Sequence, residues 1–421
     1  MDKNQVNKPK QISEKEKYIV ISLFALYVLF TSFLFNSYQE IGQGLSRIVV
    51  SPSILVSDYF SIGNIGASFF NAGALMLAMI VIAFVSKASM NGPVISAIIT
   101  IGGFALFGKN LLNVWPIILG AFLHSRFQKQ AFSRFILPAF FGTALAPLVS
   151  QVAFGFSDLP FATLVAIGAG LLAGFVLPPL ANSFIRFHQG FNLYNIGFTA
   201  GVTGMIFMSW FRSLNLQNPP TLIVHQGSNT VLSLWLVVLF AFMIIFGLLK
   251  KVTLKQTLDL NKQSGRLVSD FVTTQGFYVS LLNMGVVGLL ATAYVIIVNG
   301  QLNGATIGGI FTIVGFGAFG KHVRNITPLF IGVALASSFM IFEINTTPAV
   351  LAALFGTTLA PIAGTYGPFV GIIAGMFHMA VVFNVGFVHG GLNLYNNGFA
   401  GGFVAAFLVP IINFVLKKES E

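Results

Sequence analysis

The stretch from His188 to Gly201 reads HQGFNLYNIGFTAG, and a close copy, HGGLNLYNNGFAGG, runs from His389 to Gly402. Each copy brings side-chain amides, a phenol and glycines together in a few residues. Amides and phenols donate and accept hydrogen bonds, and glycine lets the backbone approach a bound molecule closely. The stretch therefore favours recognition of a small polar molecule. The alternative is that the same residues cap helices and allow them to pack closely.

The positions shared by the two copies are the predicted solute-binding residues of this motif. They are Asn192, Tyr194, Asn195, Gly197, Asn393, Tyr395, Asn396 and Gly398. The motif comes directly before an apolar run, so each copy could begin a broken or half-length helix whose free N–H groups point into the protein. His188 and His389 stand at the mouth of the motif, where a histidine is a candidate proton-sensitive gate or an interfacial hydrogen-bonding group.

Two lysines lie in a second duplicated stretch, GFALFGKNLLNVWP and GFGAFGKHVRNITP, as Lys109 and Lys321. Each is flanked by two short apolar limbs. In a re-entrant hairpin each ammonium would lie inside the membrane, where it could attract an anion or set the field of a pore. The alternative places both lysines in aqueous turns with their stems along the apolar surface.

Two further pairs of polar residues recur within matching contexts. Asn71 in FFNAG matches Asn283 in LLNMG, and we expect both to border a solute pathway. Asp58 and Asp270 follow serine in the shared sequence LVSD. Helix capping explains these aspartates most simply, and a role as a gate or cation site is the alternative.

Nothing in the chain indicates chemistry on a substrate. The sequence holds no Walker A loop, no HExxH and no GxSxG, and it has no cysteine, which excludes thiolate metal sites and a cysteine nucleophile. We therefore predict no enzymatic activity, no cofactor and no metal. Carboxylates within the apolar runs are scarce, which favours a channel or facilitator over a carrier driven through an acidic proton relay.

The elements that must position these residues are membrane helices. Hydrophobic residues make up 56% of the 421 residues and charged residues only 8%, and runs such as Tyr18 to Phe35 are long enough to cross a bilayer. The net charge of +11 is divided among short clusters between these runs, which indicates cytoplasmic loops and argues against a nucleic-acid partner. The basic tails 1–17 and 417–421 are predicted to be cytoplasmic, with Tyr18 to Phe35 retained as the first helix.

The paired motifs recur in the same order, which indicates an internal duplication with repeats at 18–229 and 230–416. Each repeat has about seven membrane elements, and an odd number inverts the second copy relative to the first. The predicted fold is thus an all-α polytopic membrane protein of two inverted-topology repeats. Val94 to Phe107 and Leu111 to Leu123 are short and could form a re-entrant hairpin. The first copy carries extra residues, predicted in the GFSDLP loop around Asp158.

The duplicated NLYNxGF signature, together with LVSD, FGK and FGTxLAP, resembles that of an uncharacterised Firmicute membrane protein family, domain of unknown function 1576. The resemblance covers nearly the whole chain and implies no activity. The duplicated arrangement and the FxNxG and LYxxNG-like segments are also similar to those of urea transporters, which implies inverted repeats with pore-lining short helices. The order of the motifs and the spacers between them differ from that family.

These observations predict a multi-pass protein of the bacterial plasma membrane that acts as a transporter or channel for a small polar or anionic solute. The pathway would lie where the two repeats meet. One alternative is a membrane receptor or scaffold that binds a lipid or protein. Another is an intramembrane enzyme acting on lipids, which would need an acid and a base side by side, such as Asp58 beside His188. The sequence does not decide whether the chain forms a homo-oligomer.

Overall fold

The computed structural model describes residues 12–156, 159–339 and 341–416. Within that part the chain is helical, and its β pairing is one isolated bridge between Ser57 and Ile223. Nine helical segments of the described chain are long and apolar enough to cross a membrane. The prediction of an all-α polytopic membrane protein is confirmed. Residues 1–11 of the predicted tail 1–17 and the whole predicted tail 417–421 lie outside the described residues, and residues 14–17 form the first turn of a helix.

Two successive sets of ten helices follow one another in the same order. The first set is α1 (Glu14–Phe35), α2 (Tyr38–Val49), α3 (Tyr59–Ile62), α4 (Ile65–Val85), α5 (Gly92–Phe104), α6 (Trp115–Phe127), α7 (Ile136–Gly142), α8 (Ala146–Ser150), α9 (Ala162–Phe184) and α10 (Asn195–Ser213). The second set is α11 (Asn229–Leu249), α12 (Leu254–Leu260), α13 (Phe271–Thr274), α14 (Phe277–Ile297), α15 (Gly304–Phe316), α16 (Val323–Phe339), α17 (Thr347–Gly356), α18 (Ala360–Tyr366), α19 (Pro368–Val385) and α20 (Asn396–Val415).

Short 3₁₀ and π turns join some of these helices into longer spans. A 3₁₀ turn at Phe132–Phe135 and a π turn at Gln151–Gly155 extend α7 and α8 into one apolar span. The turns at Thr143–Leu145 and Thr357–Leu359 break the helix at the duplicated FGTxLAP sequence in both sets. The same sequence therefore produces the same interruption twice.

The short helices α5 and α15 begin in the same way, and local sequence explains it. Asn91 precedes α5 and its side chain accepts a hydrogen bond from Val94 N–H. Asn303 precedes α15 and forms a reciprocal capping box with Thr306. Asparagine is a preferred capping residue because its side-chain oxygen satisfies a first-turn N–H group. Both helices contain 13 residues, too few for an ordinary full crossing.

One face of the molecule carries the start of α1, and we call it the Glu14 face. The Glu14 carboxylate accepts a hydrogen bond from Met90 N–H just before α5. Glu16 pairs with Lys250 at the end of α11, at 3.0 Å. The connection from α11 to α14 therefore begins at this face, and Arg266 within it donates to the carbonyl of Gln189.

The opposite face carries the end of α1, and we call it the Phe35 face. The Asn36 side chain accepts from Gly66 N–H at the start of α4, at 2.9 Å. Arg212, at the end of α10, donates to the carbonyl of Phe387. The HQGFNLY segment thus contacts the Glu14-face connection. In the HGGLNLY segment, the Gly391 carbonyl accepts from Leu55 N–H in the connection between α2 and α4, which ends at the Phe35 face.

Glycine lets equivalent helices of the two sets approach closely at the centre. A β-carbon on Gly103 of α5 would lie 2.8 Å from the carbonyl oxygen of Gly308 in α15, and one on Gly315 would lie 3.0 Å from that of Ser96. Residues near the start of one helix therefore pack against residues near the end of the other. The two short helices are antiparallel.

The extra residues of the first set are divided between two places. Helix α9 has 23 residues whereas α19 has 18. Residues 151–161 connect α8 to α9, whereas Gly367 alone separates α18 from α19. The predicted loop around Asp158 includes residues 157 and 158, which lie outside the described residues.

Candidate functional site

The two duplicated aspartates cap helices of the opposite set. Asp58 accepts hydrogen bonds from Phe60 N–H and His225 N–H, both at 2.9 Å, and from Gly304 N–H, the first residue of α15. Asp270 accepts from Gly92 N–H, the first residue of α5, at 3.1 Å. Burial raises the pKa of Asp58 to about 6, although its three main-chain donors act in the opposite direction. These contacts agree with the capping alternative.

Asn71 and Asn283 hold the turns that contain the two lysines. The amide of Asn71 donates to the carbonyls of Ala105 and Lys109, and its oxygen accepts from Leu111 N–H. The amide of Asn283 makes the two equivalent donations, to Gly317 and Lys321. Both asparagines are buried. Their side chains therefore satisfy main-chain carbonyls that the end of a short helix leaves unpaired.

Both lysines are fully buried, with 0% of their surface exposed, so neither lies in an aqueous turn. Lys109 Nζ donates to the Tyr395 hydroxyl at 2.7 Å. Lys321 Nζ donates to the Tyr194 hydroxyl at 2.5 Å and to Thr357 Oγ1 at 2.7 Å. Each lysine of one set is therefore bonded to the NLYN tyrosine of the other set.

The NLYN segments cross each other at the starts of α10 and α20. Asn192 donates to the carbonyl of Gly398 at 2.9 Å, and Asn393 donates to that of Gly197 at 3.3 Å. A β-carbon on either glycine would lie 2.8 Å from the β-carbon of a tyrosine in the other segment. Glycine is required here because the two helix starts are in direct contact.

The histidines of the motif bond to the asparagines that follow them. His188 Nε2 pairs with Asn195 Oδ1, and His389 Nε2 pairs with Asn396 Oδ1, each at 2.9 Å. Both histidines are fully buried. Asn195 also donates to the carbonyl of Ala181. This arrangement fixes the segment against its own preceding helix.

A cavity of about 160 Å³ lies between the two sets of helices. Of the residues predicted to bind solute, Tyr194, Asn195, Gly197, Tyr395 and Gly398 line it. Asn396 lines a neighbouring pocket of about 100 Å³. The other predicted residues lie behind these walls among the described residues: Asn71, Asn192, Asn283, Asn393, Lys109 and Lys321. The structure thus brings the motif's tyrosines and glycines to one cavity and places the lysines one layer away.

Several residues that line the cavity were not predicted. They form pairs at equivalent positions of the two sets: Thr100 and Thr312, Phe104 and Phe316, Phe141 and Phe355. Threonine and phenylalanine are ordinary in membrane helices, so composition gives no signal for them. The spacing between Asn71 and Asn283 also relates Thr100 to Thr312 and Phe104 to Phe316. This spacing could therefore have identified these two pairs.

The two openings beside this cavity differ in how they are covered. Leu267 and Val268 line the larger cavity on the side of the α11–α14 connection, and Val268 is 85% exposed. The equivalent residues Leu55 and Val56 line the smaller pocket, and Val56 is 9% exposed. Residues 214–228, which connect α10 to α11, cover Val56: its N–H donates to the carbonyl of Thr221.

These features define a class of protein: membrane-embedded and all-helical, with a central cavity between two sets of helices. The chain belongs to the family described as "Protein of unknown function (DUF1576)", whose model matches residues 37–213 and 249–414. The matched segments run from just before α2 to the end of α10, and from the end of α11 into α20. No curated protein and no solved structure matches the chain.

Proposed function

We propose that the protein is a facilitator, either channel or carrier, for a small solute in the bacterial plasma membrane. The observation that carries the proposal is the cavity between the two sets of helices, which equivalent residues from both sets line in pairs. A site where two inverted repeats meet is the usual location of a solute pathway in such proteins. We infer that the two sets are inverted repeats meeting at this cavity.

Three kinds of contact support the inversion. Helices α5 and α15 pack antiparallel through Gly103 and Gly308. The HQGFNLY segment contacts the connection that begins at the Glu14 face, and Gly391 of its counterpart contacts Leu55 in the connection that ends at the Phe35 face. The Asp58 and Asp270 contacts are exchanged between the sets, each capping the other's short helix. We infer that one pseudo-twofold axis in the membrane plane relates all three.

The distribution of charge supports an orientation with the Glu14 face in the cytoplasm. Arg47 in the last turn of α2 and Arg212 in the last turn of α10 lie towards the Phe35 face. The basic residues at or near the Glu14 face are Lys15, Lys17, Lys87, Lys250, Lys251, Lys255, Lys262 and Arg266. Basic residues concentrate in cytoplasmic loops of membrane proteins. The exposed mouth beside Val268 would then open to the cytoplasm.

The described contacts give the two other candidate functions no specific support. An enzyme would require an acid beside a base, whereas Asp58 bonds to main-chain N–H groups and His188 bonds to Asn195. A receptor or scaffold does not require an enclosed cavity with paired walls. We therefore retain solute passage as the proposal.

The natural absence of cysteine allows a direct test. Val268→Cys places one thiol at the exposed mouth, and Leu254→Cys places one on α12, where Leu254 is 75% exposed and is absent from the cavity wall. Purified chains are reconstituted in liposomes, and shrinkage and reswelling are followed with urea, glycerol, acetate and propionate. A bulky charged thiol reagent is then added.

We expect at least one solute to pass faster than in protein-free liposomes, and the reagent to block that passage in Val268→Cys only. The native chain and Leu254→Cys serve as matched controls. If no solute passes faster than in protein-free liposomes, or if modification of Val268→Cys leaves the rate unchanged, a pathway through this cavity is excluded.

A further inference from the structure

We infer that the solute is a short monocarboxylate, an anion with a small apolar body. Its carboxylate would lie at Tyr395 and the starts of α10 and α20, and its apolar part against the phenylalanines of the wall. This inference rests on the proposed function. It depends on three features of the cavity: its hydrogen-bond donors, the two lysines behind it, and its aromatic lining.

The starts of α10 and α20 supply main-chain donors. Gly197 in the first turn of α10 lines the cavity, and so does Gly398 in the first turn of α20, although the Gly398 N–H already donates to the carbonyl of Tyr395 at 2.8 Å. Tyr194 and Tyr395 occupy the capping positions, and neither side chain caps its helix. The helices have 19 and 20 residues, long enough to carry a full dipole. Uncapped helix starts attract anions through their free N–H groups.

Side-chain hydroxyls add donors that the protein itself does not use. The Tyr395 hydroxyl accepts from Lys109, its one hydrogen-bond partner among the described residues, so the described chain provides no acceptor for the proton of this hydroxyl. Thr100 lines the cavity and is 1% exposed, yet its hydroxyl has no partner in the described chain. The equivalent Thr312 donates to the Gly308 carbonyl at 2.8 Å. An unpartnered buried hydroxyl is costly unless a ligand satisfies it.

The two lysines behind the wall lack an acidic partner in the described chain, and a bound anion would favour their protonated form. Lys109 Nζ lies 4.7 Å from the ring centroid of Tyr395 and 5.3 Å from that of Phe104, both of which line the cavity. Lys321 lies in the same relation to Tyr194 and Phe316. Within residues 12–156, 159–339 and 341–416 neither lysine forms an ion pair. The cavity lining contains no carboxylate, and a bound anion would supply the missing charge.

The rest of the lining is aromatic and aliphatic, which suits the body of an organic anion better than a bare inorganic ion. The phenylalanines concerned are Phe104, Phe141, Phe316, Phe319 and Phe355. A cavity of about 160 Å³ accommodates a small organic molecule. A cation is disfavoured because both helix starts carry a positive partial charge and a nearby cation would oppose protonation of the lysines. Propionate and its neutral isostere propionamide therefore make a matched pair of probes.

The first experiment measures binding of both probes to the purified full-length chain by calorimetry. We expect propionate to bind at least about tenfold more tightly than propionamide. Tyr395→Phe should weaken propionate about tenfold and propionamide no more than about twofold. Tyr38→Phe is the matched control, because Tyr38 is 75% exposed. Equal or tighter binding of propionamide overturns the inference.

Lys109→Met tests the lysine as a positioning residue that acts through Tyr395. Methionine keeps the length of the stem and removes a buried charge, so folding should be retained, as a melting curve will check. We expect the ratio of propionate to propionamide flux in liposomes to fall about tenfold. An equal loss of both fluxes would show a purely structural role and overturn this assignment.

The flux measurement separates this inference from the proposed function. If propionamide or urea passes and propionate passes no faster than in protein-free liposomes, the anion inference fails while facilitated passage stands. If none of the solutes passes, both fail. Saturable propionate flux that Val268→Cys modification blocks supports both.

Discussion

Replacing Asn71 with leucine tests whether the buried asparagines stabilise the lysine turns. Leucine has nearly the same shape but makes no hydrogen bonds. The change removes three bonds, of 2.7 Å to Ala105 O, 2.8 Å to Lys109 O and 3.1 Å from Leu111 N–H. Each net bond contributes about 1 kcal/mol, and its partner is left buried and unpaired. We expect the free energy of unfolding to fall by about 3 kcal/mol.

Asn283→Leu is the internal comparison, because Asn283 makes only the two donations of 2.8 Å to Gly317 and Lys321. The same reasoning gives a loss of about 2 kcal/mol. Asn384 is exposed and bonds only within its own helix, to Ala380 O, so Asn384→Leu should change stability little. The expected loss in the free energy of unfolding is therefore largest for Asn71→Leu, smaller for Asn283→Leu and negligible for Asn384→Leu.

The assay is reversible unfolding in mixed micelles, followed by far-ultraviolet circular dichroism and by tryptophan fluorescence. The free energies of the native chain and the three variants are compared under identical conditions. If Asn71→Leu unfolds like the native chain, or if Asn283→Leu loses more than Asn71→Leu, then hydrogen bonds to these turns do not stabilise the fold as described.

Three further changes test other contacts. Gly197→Ala should lower the free energy of unfolding by about 1 to 3 kcal/mol, because its β-carbon would lie 2.8 Å from that of a tyrosine in the other set. Thermal melting should show no such loss for Gly168→Ala, whose β-carbon would meet nothing within 4 Å. Burial raises the pKa of Asp58 from 3.8 to about 6, so the unfolded chain loses this proton at a lower pH than the folded chain. The stability of the native chain relative to Asp58→Asn should therefore fall by about 2 kcal/mol between pH 4 and pH 6, out of about 3 kcal/mol over the whole titration; a constant difference in melts over this range would contradict the assignment. Ser57 and Ile223 form the isolated bridge, so a disulfide in the double variant Ser57→Cys and Ile223→Cys would fix residues 214–228 in place. We expect oxidation to stop solute flux until a reductant is added. Undiminished flux would show that residues 214–228 need not move.

The sequence was sufficient to predict the helical membrane fold and to find most of the polar pairs around the cavity. Polar residues in apolar runs are few, so matching contexts identified Asn71 with Asn283 and Lys109 with Lys321. The direction in which these four side chains point could not be predicted. Each lies between apolar neighbours, so the hydropathy pattern does not indicate whether the side chain faces the cavity or the packed interior. The structure gives Asn71 three protein partners, and its contact with a solute stays a prediction.

The contacts exchanged between the two sets were beyond sequence reasoning for a different reason. Lys109 and Tyr395 are far apart in the chain, and neither residue type specifies the other as a partner. The short limbs around Lys109 fitted an aqueous turn as well as a buried one. Burial was decided by the packing of α5 against α15, which depends on glycines that are common throughout this chain.

The connection at 214–228 joins the two sets on the Phe35 face, where it covers Val56, whereas Val268 is uncovered on the other face. This connection changes the rate at which solute enters from one side but supplies no energy. It therefore cannot alter the equilibrium distribution of the solute across the bilayer. Half-saturation concentrations measured from the two sides of the bilayer should therefore differ, while the final electrochemical gradient of the solute is zero from either side. The protein would then take up solute at different rates from its two sides without accumulating it on either side.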